Sequence, residues 1–309
     1  NSDLFQEDYE LNNGVLILPI ASVESFMNLQ LKKLEQKGYS LANLKLENFR
    51  MEDSHLFADL KIKKNSQRIL NDIVINGSSK FPESHKRNLM RLYANRTFNQ
   101  DGLQKVFKEI EEYRFVKQTK YPEILFTQDS TKIYVYLEKA KSNRFDGFIG
   151  FSNEEDGKFS FNGYLDILLH NILNSGEQFL IYWKNDGKKQ TSFNIGLQVP
   201  YLFKSPIGIK AELNIFKKDS TFQNTNTSID LGYFFNYNSR LYLGYQATES
   251  SDIQNVNSSF ISDFTNSFVT SQYEFTKFKN IYNCRTVNCL DYKSRALDIY
   301  IRDSATDYF

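Results

Sequence analysis

The chain has 309 residues, a formal net charge of +1 and a hydrophobic share of 40%. A charge this close to zero provides no overall field that would favour nucleic acid or another highly charged partner. No window approaches the roughly 18 unbroken apolar residues of a transmembrane helix, so a helical membrane protein is excluded. The aromatic share of 15%, with 27 Phe and 19 Tyr, favours β-structure because flat side chains pack well on a pleated surface.

Residues 1–67 combine one helical pattern with two strand patterns. The helical stripe starts after Ser22, which is placed to cap the helix, and ends at Gly38. The strand-like runs 44–51 and 56–62 are separated by a turn at residues 52–54. The helical stripe consists of Val23, Phe26, Met27, Leu31 and Leu34.

Residues 68–142 repeat and extend this order. A strand ends in the turn dipeptide Asn76-Gly77, and Pro82 suits the first turn of the helix that follows. A second helix, "NQDGLQKVFKEIEEYRF", carries its apolar residues on one face, and "PEILFTQ" and "KIYVYLEK" form a hairpin. The order is strand, helix, helix, strand, strand. Because residues 1–67 contain the later part of this order, we interpret both segments as copies of one module, the first incomplete or divergent.

From residue 143 onward only the strand period remains. In "QTSFNIGLQVPYLFKSPIGIKAELNIF", residues 190–216, apolar side chains recur at every second position with polar ones between them. The runs 192–203 and 207–216 reach the roughly 9–11 residues that a tilted strand needs to cross a bilayer. Eight or nine such strands follow one another, and short and long connections tend to alternate, as they do in outer-membrane barrels.

A soluble β-sandwich is the alternative, because its strands alternate too. Sandwich strands are usually nearer to roughly 5–6 residues long, and polar residues in the middle of the present strands suit a water-filled interior. Aromatic residues gather near strand ends, where membrane interfaces would lie; they are Tyr201, Phe203, Phe234, Phe235 and Tyr237. We therefore predict a transmembrane β-barrel, whose closure pairs the backbone groups that lipid leaves without a hydrogen-bond partner.

The segment "LQVPYLFKSPIG", from Leu197 to Gly208, resembles a strand–turn–strand segment of the BamA/TamA-like outer-membrane assembly and translocation superfamily. "FDGFIGFSNEEDGKFSFNGYLDILLHNILNSGEQFLIYW" is similar to the family's first three barrel strands. The resemblance implies an α+β POTRA-like module at 1–67, a POTRA module at 68–142, and the N-terminal half of an antiparallel transmembrane β-barrel at 143–309. The family's barrel has about sixteen strands and carries an Arg-Gly-Phe or Arg-Gly-Tyr loop motif that this sequence lacks. We therefore expect an N-terminal portion of a longer protein.

The resemblance also implies a location and a role. Members of the family lie in the outer membrane of Gram-negative bacteria, with POTRA modules in the periplasm, and assist the insertion or translocation of other proteins. The expected partners are unfolded outer-membrane protein clients, outer-membrane lipids, and accessory lipoproteins or periplasmic subunits, with no nucleic acid. The alternatives are a dedicated secretion or lipid transporter of the same superfamily and a soluble periplasmic β-rich binding protein.

Two backbone edges are the candidate sites. An extended peptide can add by β-augmentation to the strand of Ile124, Leu125, Phe126 and Thr127, unless this is an ordinary sheet strand. The first barrel strand contains glycines, which either weaken its pairing or relieve crowding. In the family this strand borders a seam that opens toward lipid. The seam residues predicted on this basis are Phe145, Gly147, Phe148, Ile149, Gly150 and Phe151.

No catalytic constellation stands out, so we expect no enzymatic activity, no metal and no cofactor. The histidines His55, His85 and His170 lie in different modules and lack metal-ligand spacing. Cys284 and Cys289 form a small surface disulfide or are two unrelated free thiols. No His lies near them to complete a tetrahedral metal site.

Overall fold

A computed structural model describes residues 15–53, 55–77, 80–153, 159–187, 190–218, 222–252, 263–275 and 297–302. The chain divides into two compact units. The first comprises Asn1–Asn71, Asn95–Gln104 and Leu125–Lys132, and the second comprises Asp72–Ala94, Lys105–Ile124 and Ile133–Phe309. The predicted domain boundaries after residues 67 and 142 stay a prediction.

The first helix, α1, spans Val23–Gln36 and ends where the sequence predicts. Gly38 has a φ of +90° and its N–H donates to the Glu35 carbonyl at 2.8 Å, which closes the last turn. The predicted cap at the other end is wrong. The Ser22 hydroxyl donates to the Pro19 carbonyl at 2.8 Å and makes no cap hydrogen bond to α1, because Ser22 belongs to a 3-10 turn.

Strands β1, Asn43–Glu52, and β2, His55–Lys63, form an antiparallel two-stranded sheet. The register shifts between Glu47 and Arg50, where Asn48 has a φ of +57°. Such a bulge adds one residue to one strand. The alternation that the sequence pattern predicts for β1 therefore breaks in the middle of the strand.

The next segment contains the predicted order of strand, helix, helix, strand, strand, with one short strand added. Its elements are β3 (Leu70–Asn76), α2 (Glu83–Tyr93), α3 (Gln100–Glu111), β4 (Val116–Gln118), β5 (Glu123–Phe126) and β6 (Thr131–Lys139). Strand β6 pairs with β3, β4 and β5. The added strand, β4, has three residues, of which Lys117 and Gln118 are polar, so no sequence pattern marks it. The side chains buried in this segment include Ile73, Leu89, Val106, Ile133 and Val135.

Nine further strands form one antiparallel sheet in which each strand pairs with its neighbours in sequence. They are β7 (Arg144–Asn153), β8 (Phe159–His170), β9 (Gln178–Asp186), β10 (Gln190–Val199), β11 (Ile207–Lys218), β12 (Phe222–Asn236), β13 (Ser239–Asp252), β14 (Phe264–Phe275) and β15 (Leu297–Arg302). The number agrees with the predicted eight or nine. Within the described residues the end strands, β7 and β15, each pair on one side only, so the sheet is open and not a closed barrel.

Two boundaries within this sheet differ from the prediction. The run 192–203 is not one strand, because β10 ends at Val199, before Pro200, which lacks an N–H, and Tyr201, whose φ is +55°. In the segment 216–227, whose sequence "FKKDSTFQNTNT" indicates a turn, residues 216–218 pair in β11 and residues 222–227 pair in β12. Short connections therefore occur at both ends of the sheet.

Aromatic side chains join the helices to the sheet within the second compact unit. We call His85, Tyr113, Phe115, Tyr201, Phe234 and Tyr237 the junction cluster. The His85 ring lies edge-on to Tyr201, with 4.8 Å between ring centroids, and edge-on to Tyr113, at 5.1 Å. Tyr201 and Phe234 are 2% and 0% exposed. Three of the five aromatic residues predicted to face a membrane interface, Tyr201, Phe234 and Tyr237, thus pack in this cluster instead.

Three hydrogen bonds between side chains and backbone fix the same junction. They run from Asn88 Nδ2 to the Ser205 carbonyl at 3.3 Å, from Arg91 Nη2 to the Phe234 carbonyl at 3.1 Å, and from the Tyr237 N–H to Glu109 Oε1 at 2.8 Å. Helices α2 and α3 are therefore held against the turns that follow β10 and β12.

Burial controls the charge of the junction. Burial, followed by the nearby charge of Arg240, lowers the pKa of His85 to about 3, so this ring is neutral at physiological pH. Burial raises the pKa of the Glu109 carboxyl, and the Tyr237 N–H opposes that shift. Burial and the neighbouring Glu109 raise the pKa of Glu112 to about 7. His85 is thus neutral within the cluster, while the Arg240 guanidinium lies over the Phe234 and Tyr237 rings, 5.0 and 4.9 Å from their centroids.

We expect Gly176→Ala to destabilise this junction by about 2–4 kcal/mol. Gly176 has a φ of +77°, and a Cβ there would lie 1.9 Å from Cε1 of His85, whose side chain is fully buried. The matched control is Gly196→Ala in β10, whose Cβ would meet its nearest neighbour, Leu180 Cβ, at 3.7 Å. This change should alter the unfolding free energy by less than about 0.5 kcal/mol. The measurement is urea unfolding of the full-length protein in detergent; equal stability of the two variants would contradict the described fit.

Candidate functional site

One face of the nine-stranded sheet is apolar and exposed. Cross-strand register places one row of side chains across β9 to β14: Phe179, Leu197, Ala211, Ile229, Tyr245 and Val269. In the next row, Leu231 and Leu243 lie directly opposite each other and are 59% and 58% exposed. We call this surface the apolar face. Contiguous apolar patches of this kind are rare on soluble monomers and mark contact with a membrane or another protein.

The other face of the sheet is polar. The row between the two apolar rows consists of Gln178, Gln198, Lys210, Asp230, Gly244 and Thr270. Lys210 Nζ lies 3.2 Å from Glu212 Oε1 and 3.7 Å from Glu274 Oε1. The Thr270 hydroxyl donates to Asp230 Oδ1 at 3.3 Å. This polar face therefore holds ion pairs and hydrogen bonds along the middle of strands whose reverse side is oily.

The predicted seam residues all lie in β7, an end strand of the sheet. Strand β7 pairs with β8 without interruption from Arg144 to Asn153. The Tyr164 hydroxyl donates to Asp146 Oδ2 at 3.0 Å, and this bond reinforces the ladder on one face. Phe145 is 77% exposed on the other face. Within the described part of the chain, the second edge of β7 has no strand partner.

The glycines of β7 allow its backbone to approach β8 closely. A Cβ at Gly147 would lie 2.6 Å from the Tyr164 carbonyl oxygen, and one at Gly150 would lie 2.2 Å from Asn162 Oδ1. Relief of crowding is thus one physical role of these glycines. Weak pairing at the seam stays a prediction.

The predicted peptide-binding edge lies in and just after β5. Ile124, Leu125 and Phe126 belong to β5, which pairs with β6 only among the described strands, and Thr127 lies in the turn that follows. The Thr127 N–H donates to the Ser130 carbonyl at 2.9 Å. Because N–H groups alternate sides along a strand, the N–H groups of Ile124 and Phe126 point to the open edge.

The two ends of this edge differ. The Arg68 guanidinium donates to the Thr127 carbonyl at 2.6 Å and lies over the Phe126 ring at 5.5 Å from its centroid, which closes the distal end. At the other end, the Lys120 ammonium donates a hydrogen bond to the Glu123 carboxylate. This bond lowers the pKa of the Glu123 carboxyl and so favours its negatively charged form. Sequence reasoning found the edge and missed the Arg68 contact, because Arg68 is 59 residues away in the chain.

The described residues contain no helix that is long and apolar enough to cross a membrane. They also contain no group of three or more His, Cys, Asp or Glu side chains placed to hold a metal ion. The predicted alternatives for Cys284 and Cys289 lie outside the described residues.

Comparison with known proteins rests on structure. No protein-family model matches the sequence, and no curated protein does. The chain is similar to the crystal structure of BamA from Haemophilus ducreyi lacking POTRA domains 1–3, with 13% identity and a TM-score of 0.57 over 91% of this chain and 57% of that chain. CdiB from Acinetobacter baumannii gives 13% identity and a TM-score of 0.49 over 90% and 55%. CdiB from Escherichia coli gives 13% and 0.43 over 84% and 51%.

The BamA likeness extends over 91% of this chain. This chain spans 57% of the length of that BamA structure. At 13% identity, this structural similarity establishes the fold alone, and the activity has to be argued from the site. The chain has the fold of that BamA structure.

Proposed function

We propose that this chain belongs to an outer-membrane protein that assists the insertion or translocation of other proteins. The observation that supports this most directly is the two-faced sheet, with an exposed apolar face on one side and ion-paired polar rows on the other. Outward-facing apolar and inward-facing polar residues alternate in this way along the strands of outer-membrane barrels. The BamA fold and the resemblance in sequence point to the same superfamily.

The work of the protein is strand pairing, not bond chemistry. Among the described strands that have an unpaired backbone edge, two are the candidate sites: β5, which follows β4 in the chain, and β7, at one end of the nine-stranded sheet. An extended client segment binds β5 by β-augmentation. Strand β7 borders the seam, where a client strand pairs with the open edge and meets lipid on its outward face.

In this proposal residues 68–142 are a POTRA module in the periplasm and residues 1–67 are a divergent POTRA-like module. The partners are unfolded outer-membrane protein clients, outer-membrane lipids, and accessory lipoproteins or periplasmic subunits. No cofactor is needed, because each step exchanges hydrogen bonds and apolar contacts.

The single tryptophan tests the orientation of the sheet. Trp183 lies directly opposite Phe193 and Leu165 on the apolar face. In the full-length protein reconstituted into vesicles, bromine on the acyl chains should strongly quench its fluorescence. In a Trp183→Phe background, Gln246→Trp moves the reporter to the polar face, since Gln246 pairs with Ser228 and Phe268 there, and this reporter should be quenched little.

The same experiment distinguishes a membrane protein from the soluble alternative. A periplasmic binding protein would remain monodisperse without detergent, and brominated lipid would leave Trp183 emission unchanged. Either result would remove the membrane assignment and the transport role together.

Proline substitution tests the β5 edge. Ile124→Pro removes an N–H that points to the open edge, so an added strand loses a ladder bond. We expect the affinity for an unfolded outer-membrane protein segment to fall about tenfold, equivalent to roughly 1.4 kcal/mol. Ile124→Val keeps the N–H and the branched side chain and should bind normally. Normal binding by the proline variant, with its circular dichroism unchanged, would exclude this edge as the client site.

Amide exchange tests the seam. Amides of β7 from Phe145 to Phe151 should exchange about tenfold or more faster than those of β11, which β10 and β12 pair on both sides. Both strands are measured in the same full-length, reconstituted sample. Exchange of β7 as slow as that of β11 would mean that the seam is firmly paired.

A further inference from the structure

Two connections at the same end of the nine-stranded sheet carry solvent-exposed apolar side chains. Residues 171–177 join β8 to β9 and residues 200–206 join β10 to β11. In an antiparallel sheet, alternate connections lie at one end, so these two turns share it. Leu173 is 76% exposed and Phe203 is 98% exposed, the most exposed of the large hydrophobic side chains described.

The first turn is held rigid by one carboxylate. Glu177 is 4% exposed, and its side chain accepts hydrogen bonds from the Leu173 N–H at 2.6 Å, the Ser175 N–H at 3.1 Å and the Ser175 hydroxyl at 2.7 Å. Asn171 closes the turn from the other side, since its Oδ1 accepts from the Gly176 N–H at 2.9 Å. Leu173 and the 52% exposed Ile172 are thus held outward and have no freedom to fold back.

The second turn is strained and anchored. Phe203 and Lys204 have φ values of +52° and +61°, a region that costs roughly 1–2 kcal/mol for a residue with a Cβ. Tyr201, before them, is buried against His85 in the junction cluster. Ser205, after them, donates from its hydroxyl to the Leu202 carbonyl at 2.7 Å. Strain of this kind persists only where the surroundings impose it, and here they hold a phenyl ring in the open.

The apolar face continues into these turns. Ile207 begins β11 just after the second turn, is 46% exposed, and lies directly opposite Tyr233. Tyr233 stacks edge-on with Phe235, with 5.1 Å between ring centroids. The surface that the proposed function assigns to lipid therefore reaches the end of the strands at the height of Phe203. Lys204 follows Phe203 in the chain, and aromatic and cationic residues together are typical of the boundary between headgroups and acyl chains.

We propose that the turns 171–177 and 200–206 are membrane-interface anchors, in which Ile172, Leu173 and Phe203 insert at the headgroup–acyl boundary and Lys204 contacts lipid phosphates. This inference rests on the proposed membrane location of the sheet. It adds that turns, and not only strand residues, set the depth of this end of the sheet in the bilayer.

Depth-dependent quenching in the full-length protein tests the anchors. The background is Trp183→Phe, which removes the only native tryptophan. Phe203→Trp and Leu173→Trp report from the two turns, Leu231→Trp reports from the middle of the apolar face, and Phe49→Trp reports from the 59% exposed Phe49 of β1. Vesicles of phosphatidylcholine carry bromine near the ester end or near the methyl end of the acyl chains, and iodide serves as the aqueous quencher.

The expected pattern has three parts. The reporters at 203 and 173 are quenched more by bromine near the ester end, the reporter at 231 more by bromine near the methyl end, and the reporter at 49 by iodide alone. Quenching at 231 by lipid, with only iodide acting at 203 and 173, would overturn the anchors and leave the membrane assignment standing. Absence of lipid quenching at 231 would overturn the membrane assignment and the anchors with it.

Discussion

Strand register is the constraint on which the rest of this structure depends. From β9 to β14 every strand pairs in phase, so that Leu231 and Asp230, adjacent in the chain, belong to opposite faces across the whole width of the sheet. A slip of one residue in any pair would exchange the oily and the wet surfaces of that strand. The ladder of backbone hydrogen bonds therefore does more than join strands, because it decides which solvent each side chain meets.

The junction with α2 and α3 depends on this register in turn. The connections after β10 and β12 begin where the alternation stops, and their aromatic residues turn inward instead of continuing the apolar face. Tyr201 packs against the neutral His85 and Phe234 packs against Tyr201, while Phe203, two residues from Tyr201, remains exposed. One short turn thus serves two surfaces, a dry contact with the helices and an exposed contact with the surroundings.

The two candidate edges follow from the family resemblance, whereas periodicity in the sequence predicts the helices and most of the strands, because a two-residue or a 3.6-residue repeat is a local property. It fails where long-range contacts decide. The alternating pattern continues through Tyr201 as if it were strand. Strand β10 nevertheless ends at Val199, because Pro200 lacks an N–H and Tyr201 packs in the junction cluster. Likewise, the capture of the Thr127 carbonyl by Arg68 joins residues 59 apart, and no local pattern encodes it.

The hydrogen bonds that dock the helices have a consequence for how the protein tolerates change. On the sheet side, each partner is a main-chain atom: the carbonyls of Ser205 and Phe234 and the N–H of Tyr237. Substitution of Asn88, Arg91 or Glu109 therefore removes one of these bonds, whereas a new side chain at Ser205 leaves its main-chain bond in place. Phe234 and Tyr237 keep their main-chain bonds too, but their rings belong to the junction cluster, so tolerance on the sheet side is confined to positions outside that cluster.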